Sequence, residues 1–108
     1  FIAKELNGKQ ENSKTSIGMV VGATKAKKLT PVINDFPKSP LLIPGVGKQG
    51  GSIKALNKSL EQHTGIPLIN SSRSIIYAGK NAKNWDQHVA ESAKNLKTRL
   101  APITERYV

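Results

Sequence analysis

Apolar residues gather into three short unbroken runs along this chain: Met19-Val20-Val21, Leu41-Leu42-Ile43, and the stretch from Ile66 to Ile69. Each run is closed by a glycine or a polar cluster. A run without polar alternation predicts a strand buried on both faces, as in a parallel sheet covered by helices. Strands are therefore expected near residues 17–22, 41–44 and 66–70. After each run the apolar spacing changes to three or four, the period of a helix with one buried side. Leu29, Val32, Ile33 and Phe36 form the first stripe, and Ile53, Leu56 and Leu60 the second. Trp85, Val89, Ala93, Leu96 and Leu100 form the third.

Punctuation residues refine these boundaries. Thr24 is a capping residue after the first strand. Thr30 followed by Pro31 predicts a cap and first helical position, so the first helix is expected to be broken there. Pro44 has no N–H for a ladder and is expected to end the second strand. Ser52 is a good N-cap for the second helix and Gly65 a natural C′ stop. In the third unit, residues 70–74 read as a polar turn and 74–78 as one helical turn before Gly79. Pro102 is expected to bend or end the final helix, and the opening "FIAKELNGKQENSKT" reads as the tail of an earlier helix followed by a polar loop.

Three consecutive strand-to-helix units imply parallel strands joined by right-handed crossovers, an α/β protein. Three such strands alone leave two long edges unpaired, so the chain reads as part of something larger. Its 108 residues fit one small domain or a piece of a bigger one.

Composition narrows the function classes. The chain is 37% hydrophobic and 22% charged, which is the balance of a folded protein. With no cysteine there is no disulfide framework, thiolate zinc site or cysteine nucleophile. No stretch approaches the roughly 20 apolar residues of a membrane span, and the start lacks a signal-peptide layout. Seventeen Lys+Arg against seven Asp+Glu give a net charge of +10, which fits a polyanionic partner. The lysines are scattered, however, and aromatic residues make up only 5% of the chain. The one local cluster, Lys25 to Lys28, reads as a solvated helix face. A small basic nucleic-acid-binding module remains an alternative, and the main expectation is no nucleic-acid partner.

The candidate chemistry lies in the glycine-bearing turns. In parallel α/β architectures, ligand sites sit where the strands end and the loops enter the helices. Residues 47–52, "GKQGGS", lead from a strand into a helix, where glycines admit close approach and free N–H groups attract anions. One unit later, "SSR" adds two hydroxyls and Arg73, whose planar fork holds a phosphate bidentately. The loop fits neither the Walker P-loop nor the complete dinucleotide fingerprint, so a merely tight connection stays open as an alternative. Lys48 is expected to be solvated. His63 and His88 have no His, Asp or Glu partners at ligand spacing and are read as surface or helix-face residues, with no metal. The acidic residues fall on expected helices, away from the strand ends, and no general base is evident.

"GMVVGAT", "LLIPGVGKQGG" and "LINSSRSIIYA", in this order and spacing, resemble the last three strand-loop segments of the orotidine 5′-phosphate decarboxylase family, of the longer bacterial type. The resemblance covers the chain from about Ser16 to its final helix. It implies the C-terminal part of a (β/α)8 TIM barrel, strands six to eight, with the N-terminal remainder of the barrel as partner. It also implies conversion of orotidine 5′-monophosphate to uridine 5′-monophosphate and CO2, no cofactor, a homodimer, and a cytoplasmic, membrane-free setting. Carried onto matching positions, Gln49, Gly50, Ser72 and Arg73 bind the substrate phosphate, and Pro44 and Gln49 lie near the pyrimidine ring. The family's Asp-x-Lys-x-x-Asp cluster does not occur here, so no catalytic residue is assigned to this chain. Other phosphate-binding barrels, such as sugar-phosphate epimerases and thiamine phosphate synthases, are the second reading.

Overall fold

The computed structural model describes residues 5, 6, 8, 16–23, 26–47 and 52–108. Glu5, Leu6 and Gly8 are helical, and the rest of the expected opening helix and loop lies outside the described residues, as do Thr24 and Lys25. Strand β1 is Met19–Val20, followed by helix α1, Ala26–Asp35. Strand β2 is Leu41–Pro44 and helix α2 is Ile53–Ser59. Strand β3, Pro67–Asn70, leads into the single turn α3, Arg73–Ile76, then α4, Trp85–Thr104, and a closing 3-10 turn, Glu105–Tyr107.

The three strands form one parallel sheet in sequence order. Its register aligns Met19, Leu41 and Pro67 in one row and Val20, Leu42 and Leu68 in the next. Side chains of adjacent rows point to opposite faces. Leu41 and Ile43 are fully buried against the helices, and Met19 and Ile69 pack beside them. The other row is open: Val20 is 70% exposed, Leu42 39% and Leu68 61%. The expectation of strands buried on both faces is thus corrected. Both faces are apolar, but helices cover only one.

The core beneath that face consists of Leu29 and Ile33 from α1, Leu56 from α2 with Leu60 just beyond it, and Leu100 and Ile103 from α4. Each buried aliphatic side chain contributes about 1.5–3 kcal/mol, which fixes how the helices sit on the sheet. This packing overrides the break expected at Pro31. Proline costs one ladder bond to the carbonyl of residue 27, yet α1 runs through it because Leu29 and Ile33 on either side are both anchored.

The second helix begins as expected, with the Ser52 hydroxyl accepting from Ala55 N at 3.2 Å. Gly65, in contrast, is not the left-handed stop. The cap falls at Leu60, and Gly65 is not among the positive-φ glycines. A Cβ there would lie 2.3 Å from the Ser39 carbonyl oxygen, so the constraint is close approach of two backbones. In α4 the expected stripe also shifts. Trp85 is 60% exposed and Ala93 is exposed, while Leu100 and Ile103 are buried, because only the C-terminal half of the helix lies over the core. Helix α4 continues past Pro102 to Thr104 and ends in the 3-10 turn.

His63 is the largest departure on this side of the molecule: it is buried, only 4% exposed. Its Nε2 donates to the Ser39 carbonyl at 2.9 Å, which leaves buried Nδ1 as an acceptor with no partner among the described residues. Tyr107 donates its hydroxyl to the His63 carbonyl at 2.9 Å, strapping the end of the chain over this loop. Desolvation lowers the imidazole pKa below 6.5, opposed in part by the bond to Ser39. The unfolded chain therefore takes up the proton first as pH falls. Stability is complete above about pH 6.5 and declines from there down through the lowered folded value. Urea unfolding at pH 8 and pH 5.5 is expected to give a lower midpoint at the acid pH. His63→Gln is expected to flatten that difference; an equally steep loss in the variant would assign it to other groups.

Candidate functional site at the strand ends

Pro44 and Asn70 are register partners at the C-terminal ends of β2 and β3, so the loops that follow leave the sheet side by side. Between them lies a cavity of about 230 Å³. Pro44, Gly45 and Val46 form one wall, and the segment from Asn70 to Ser74 forms the other. Gly45 and Gly47 both have positive φ, 86° and 108°, which turns the first loop back toward the second. A Cβ on Gly47 would lie 3.2 Å from Ser74 Oγ and 3.4 Å from Ser71 Oγ. The two loops therefore touch through a glycine on one side and a hydroxyl pair on the other.

The expected residues divide as follows. Arg73 is exposed on the rim and its guanidinium bonds to none of the described residues, leaving its donors available to an anion. Ser72 is exposed, and its hydroxyl donates to Asn70 Oδ1 at 2.9 Å. Pro44 is half-buried in the wall. Gln49 and Gly50, with Lys48, lie outside the described residues. Ser71, one of the two hydroxyls of "SSR", and Ser74, which the sequence did not mark as a site residue, share a 2.6 Å hydroxyl contact. Their S-x-x-S spacing of one helical turn was the available signal.

Arg73 is the charged residue of the described lining, and no carboxylate joins it. Positive charge with hydroxyl and amide donors suits a phosphate and offers no base. The helix terminus expected from sequence, at residues 47–52, lies mostly outside the described residues, and α3 adds little of its own, being one turn that aligns few peptide dipoles. Among the described lining residues the guanidinium is the group with positive charge to attract an anion. Among the described residues no group of His, Asp and Glu is arranged to hold a metal ion, and no helix is long and apolar enough to cross a membrane.

Comparison with known proteins bears on what this cavity serves. The chain is 43% identical over 93 residues to the orotidine 5′-phosphate decarboxylase of Natronomonas pharaonis, covering 82% of this chain and 34% of that protein. It is 37% identical over 99 residues to the enzyme of that name from Dehalococcoides mccartyi, covering 91% and 36%. The enzyme of Halobacterium salinarum is 37% identical over 84 residues, covering 78% and 32%. The chain is related to the orotidine 5′-phosphate decarboxylases. It spans about a third of the length of these decarboxylases. No family model and no solved structure matches it.

Proposed function

We propose that this chain is the substrate-phosphate-binding, C-terminal part of an orotidine 5′-phosphate decarboxylase, which converts orotidine 5′-monophosphate to uridine 5′-monophosphate and CO2. The observation that carries the reading is Arg73, unbonded among the described residues and bordering a cavity whose described lining holds no carboxylate, where two adjacent parallel strands end, in a relative of decarboxylases that act on a 5′-phosphate by name. Arg73 holds the phosphate, with Ser72, Gln49 and Gly50 as further donors, and Pro44 and Gln49 border the ring. Binding energy from this remote phosphate orients the reacting ring and stabilises the transition state. The proton-transfer and charge-stabilising groups come from the rest of the polypeptide, since no Asp-x-Lys-x-x-Asp occurs in these 108 residues. Residues 1–108 alone are accordingly expected to leave the ultraviolet absorbance of orotidine 5′-monophosphate unchanged, while the full polypeptide bleaches it. Turnover by these residues alone would overturn the division of labour.

The rest of the fold belongs to the same proposal. The open row Val20, Leu42 and Leu68 faces the interior of a (β/α)8 barrel, filled by side chains from the remaining strands. Two such barrels then pair as a homodimer. A charge in this row tests the barrel. Leu42→Glu is expected to destabilise the full polypeptide by about 3 kcal/mol or more, the cost of an unpaired carboxylate in an apolar interior. If the face stays in water, the same change costs within about 0.5 kcal/mol. Urea titration distinguishes the two.

A further inference from the structure

Helix α3 carries Arg73 but has little of its own to hold it in place. It is one turn long, none of its residues is buried, and the preceding Ser72 makes no side-chain capping bond. One isolated turn fixes several dihedral angles for one or two hydrogen bonds and is unstable by itself. Its backbone ladder runs from Ile76 to Ser72, from Tyr77 to Arg73 and from Ala78 to Ile75. The Ser74 carbonyl is passed over.

That carbonyl is taken by α4. Ser92 Oγ donates to Ser74 O at 2.9 Å in a partly buried setting. One turn earlier on α4, His88 meets the far end of the same arm: a Cβ on Gly79 would fall 2.5 Å from His88 Cβ. The Ser74 side chain points the other way, to Ser71 Oγ and the backbone of Gly47. A continuous set of contacts thus runs from α4 through Ser74 to the β2 loop, passing beneath Arg73. Ser92 itself lines a second cavity of about 570 Å³, together with His88, Glu91 and Arg99, and not the one that Arg73 borders.

We propose that Ser92 is a positioning residue of the phosphate site: by closing the unfilled Ser74 carbonyl it fixes α3, and with it Arg73, against the β2 loop. The inference rests on the reading of Arg73 as a phosphate ligand. Without the Ser92 hydroxyl, the carbonyl must turn toward water and the single turn is free to shift. Arg73 then visits its productive position only part of the time, and the apparent affinity for the phosphate falls by that fraction.

The test uses the full polypeptide, with uridine 5′-monophosphate and uridine titrated by calorimetry. Ser92→Ala is expected to weaken uridine 5′-monophosphate about tenfold, to leave uridine unchanged, and to have no further effect in an Arg73→Ala background. Ser92→Thr keeps the hydroxyl and is expected to restore affinity. Ser92→Cys, a near-isosteric weak donor, serves if the alanine variant melts too low to titrate, and is expected to weaken the nucleotide selectively. If Arg73→Ala binds the nucleotide as the parent does, the phosphate reading itself fails and takes this proposal with it. If Arg73→Ala is weak but Ser92→Ala and Ser92→Cys bind like the parent, or lose uridine equally, the positioning role alone is overturned.

Discussion

Arg73→Ala is expected to lower kcat/KM for orotidine 5′-monophosphate about a thousandfold in the full polypeptide, with no change in melting temperature. The size follows from the interaction lost. A guanidinium fork on a phosphate makes two charge-assisted bonds, and truncating one partner of such a pair costs about 2–5 kcal/mol. At 1.4 kcal/mol per tenfold, about 4 kcal/mol is three decades in rate. The fold should not notice, because Arg73 is exposed, bonds to none of the described residues and lies on a turn with no buried side chain. Arg73→Lys is expected to recover only part of the loss, since an ammonium is a point charge without the planar fork. Steady-state kinetics decide the matter, and parental kcat/KM in the alanine variant would remove Arg73 from the site.

Gly65→Ala is expected to lower stability by about 3 kcal/mol or more. Its Cβ would sit 2.3 Å from Ser39 O and 2.6 Å from Lys38 O, and backbone atoms have no rotamer by which to withdraw. The two segments are also pinned together. Thr64 N donates to Pro37 O at 2.8 Å, Gly65 N donates to the same carbonyl at 3.3 Å, and His63 Nε2 reaches Ser39 O at 2.9 Å. Making room means stretching or breaking these bonds, so overpacking adds to lost hydrogen bonding. Gly22→Ala, where a Cβ meets none of the described residues within 4 Å, is the control and should be nearly neutral. Thermal unfolding of the two variants side by side is the measurement; equal melting temperatures would show that the Ser39 and Gly65 backbones are not held in contact.

Much of the architecture was legible because short-range physics writes it. The Ser52 cap, the end of β2 at Pro44 and the helical spacing of Leu29, Ile33, Leu56 and Leu60 each depend on neighbours within a turn or two. Arg73 could be singled out for the same reason, since a polar turn ending in arginine directly after an apolar run is a local signal. Other positions misled because their roles are set from far away in the chain. Gly65 resembles a helix stop, yet its constraint comes from Ser39, 26 positions earlier. His63 sits among polar neighbours in sequence, Glu61, Gln62 and Thr64, which read as surface; its partner is a carbonyl across the loop. Pro31 reads as a boundary until the burial of residues on both sides of it is known.

By itself, then, the sequence determined an ordered set of three strand-to-helix units, the end of the sheet at which their loops gather, and the resemblance to orotidine 5′-phosphate decarboxylases. Hydrophobic period and turn chemistry suffice for these. Only the tertiary structure decided which apolar strand face is covered, because an unbroken apolar run has the same appearance whether or not anything packs against it. It likewise decided that the Ser71–Ser74 pair lies against Gly47 and that Ser92 reaches the Ser74 carbonyl. Those contacts join residues 18 or more positions apart, and their pairing is fixed by how α4 and the sheet pack, not by any pattern within either segment.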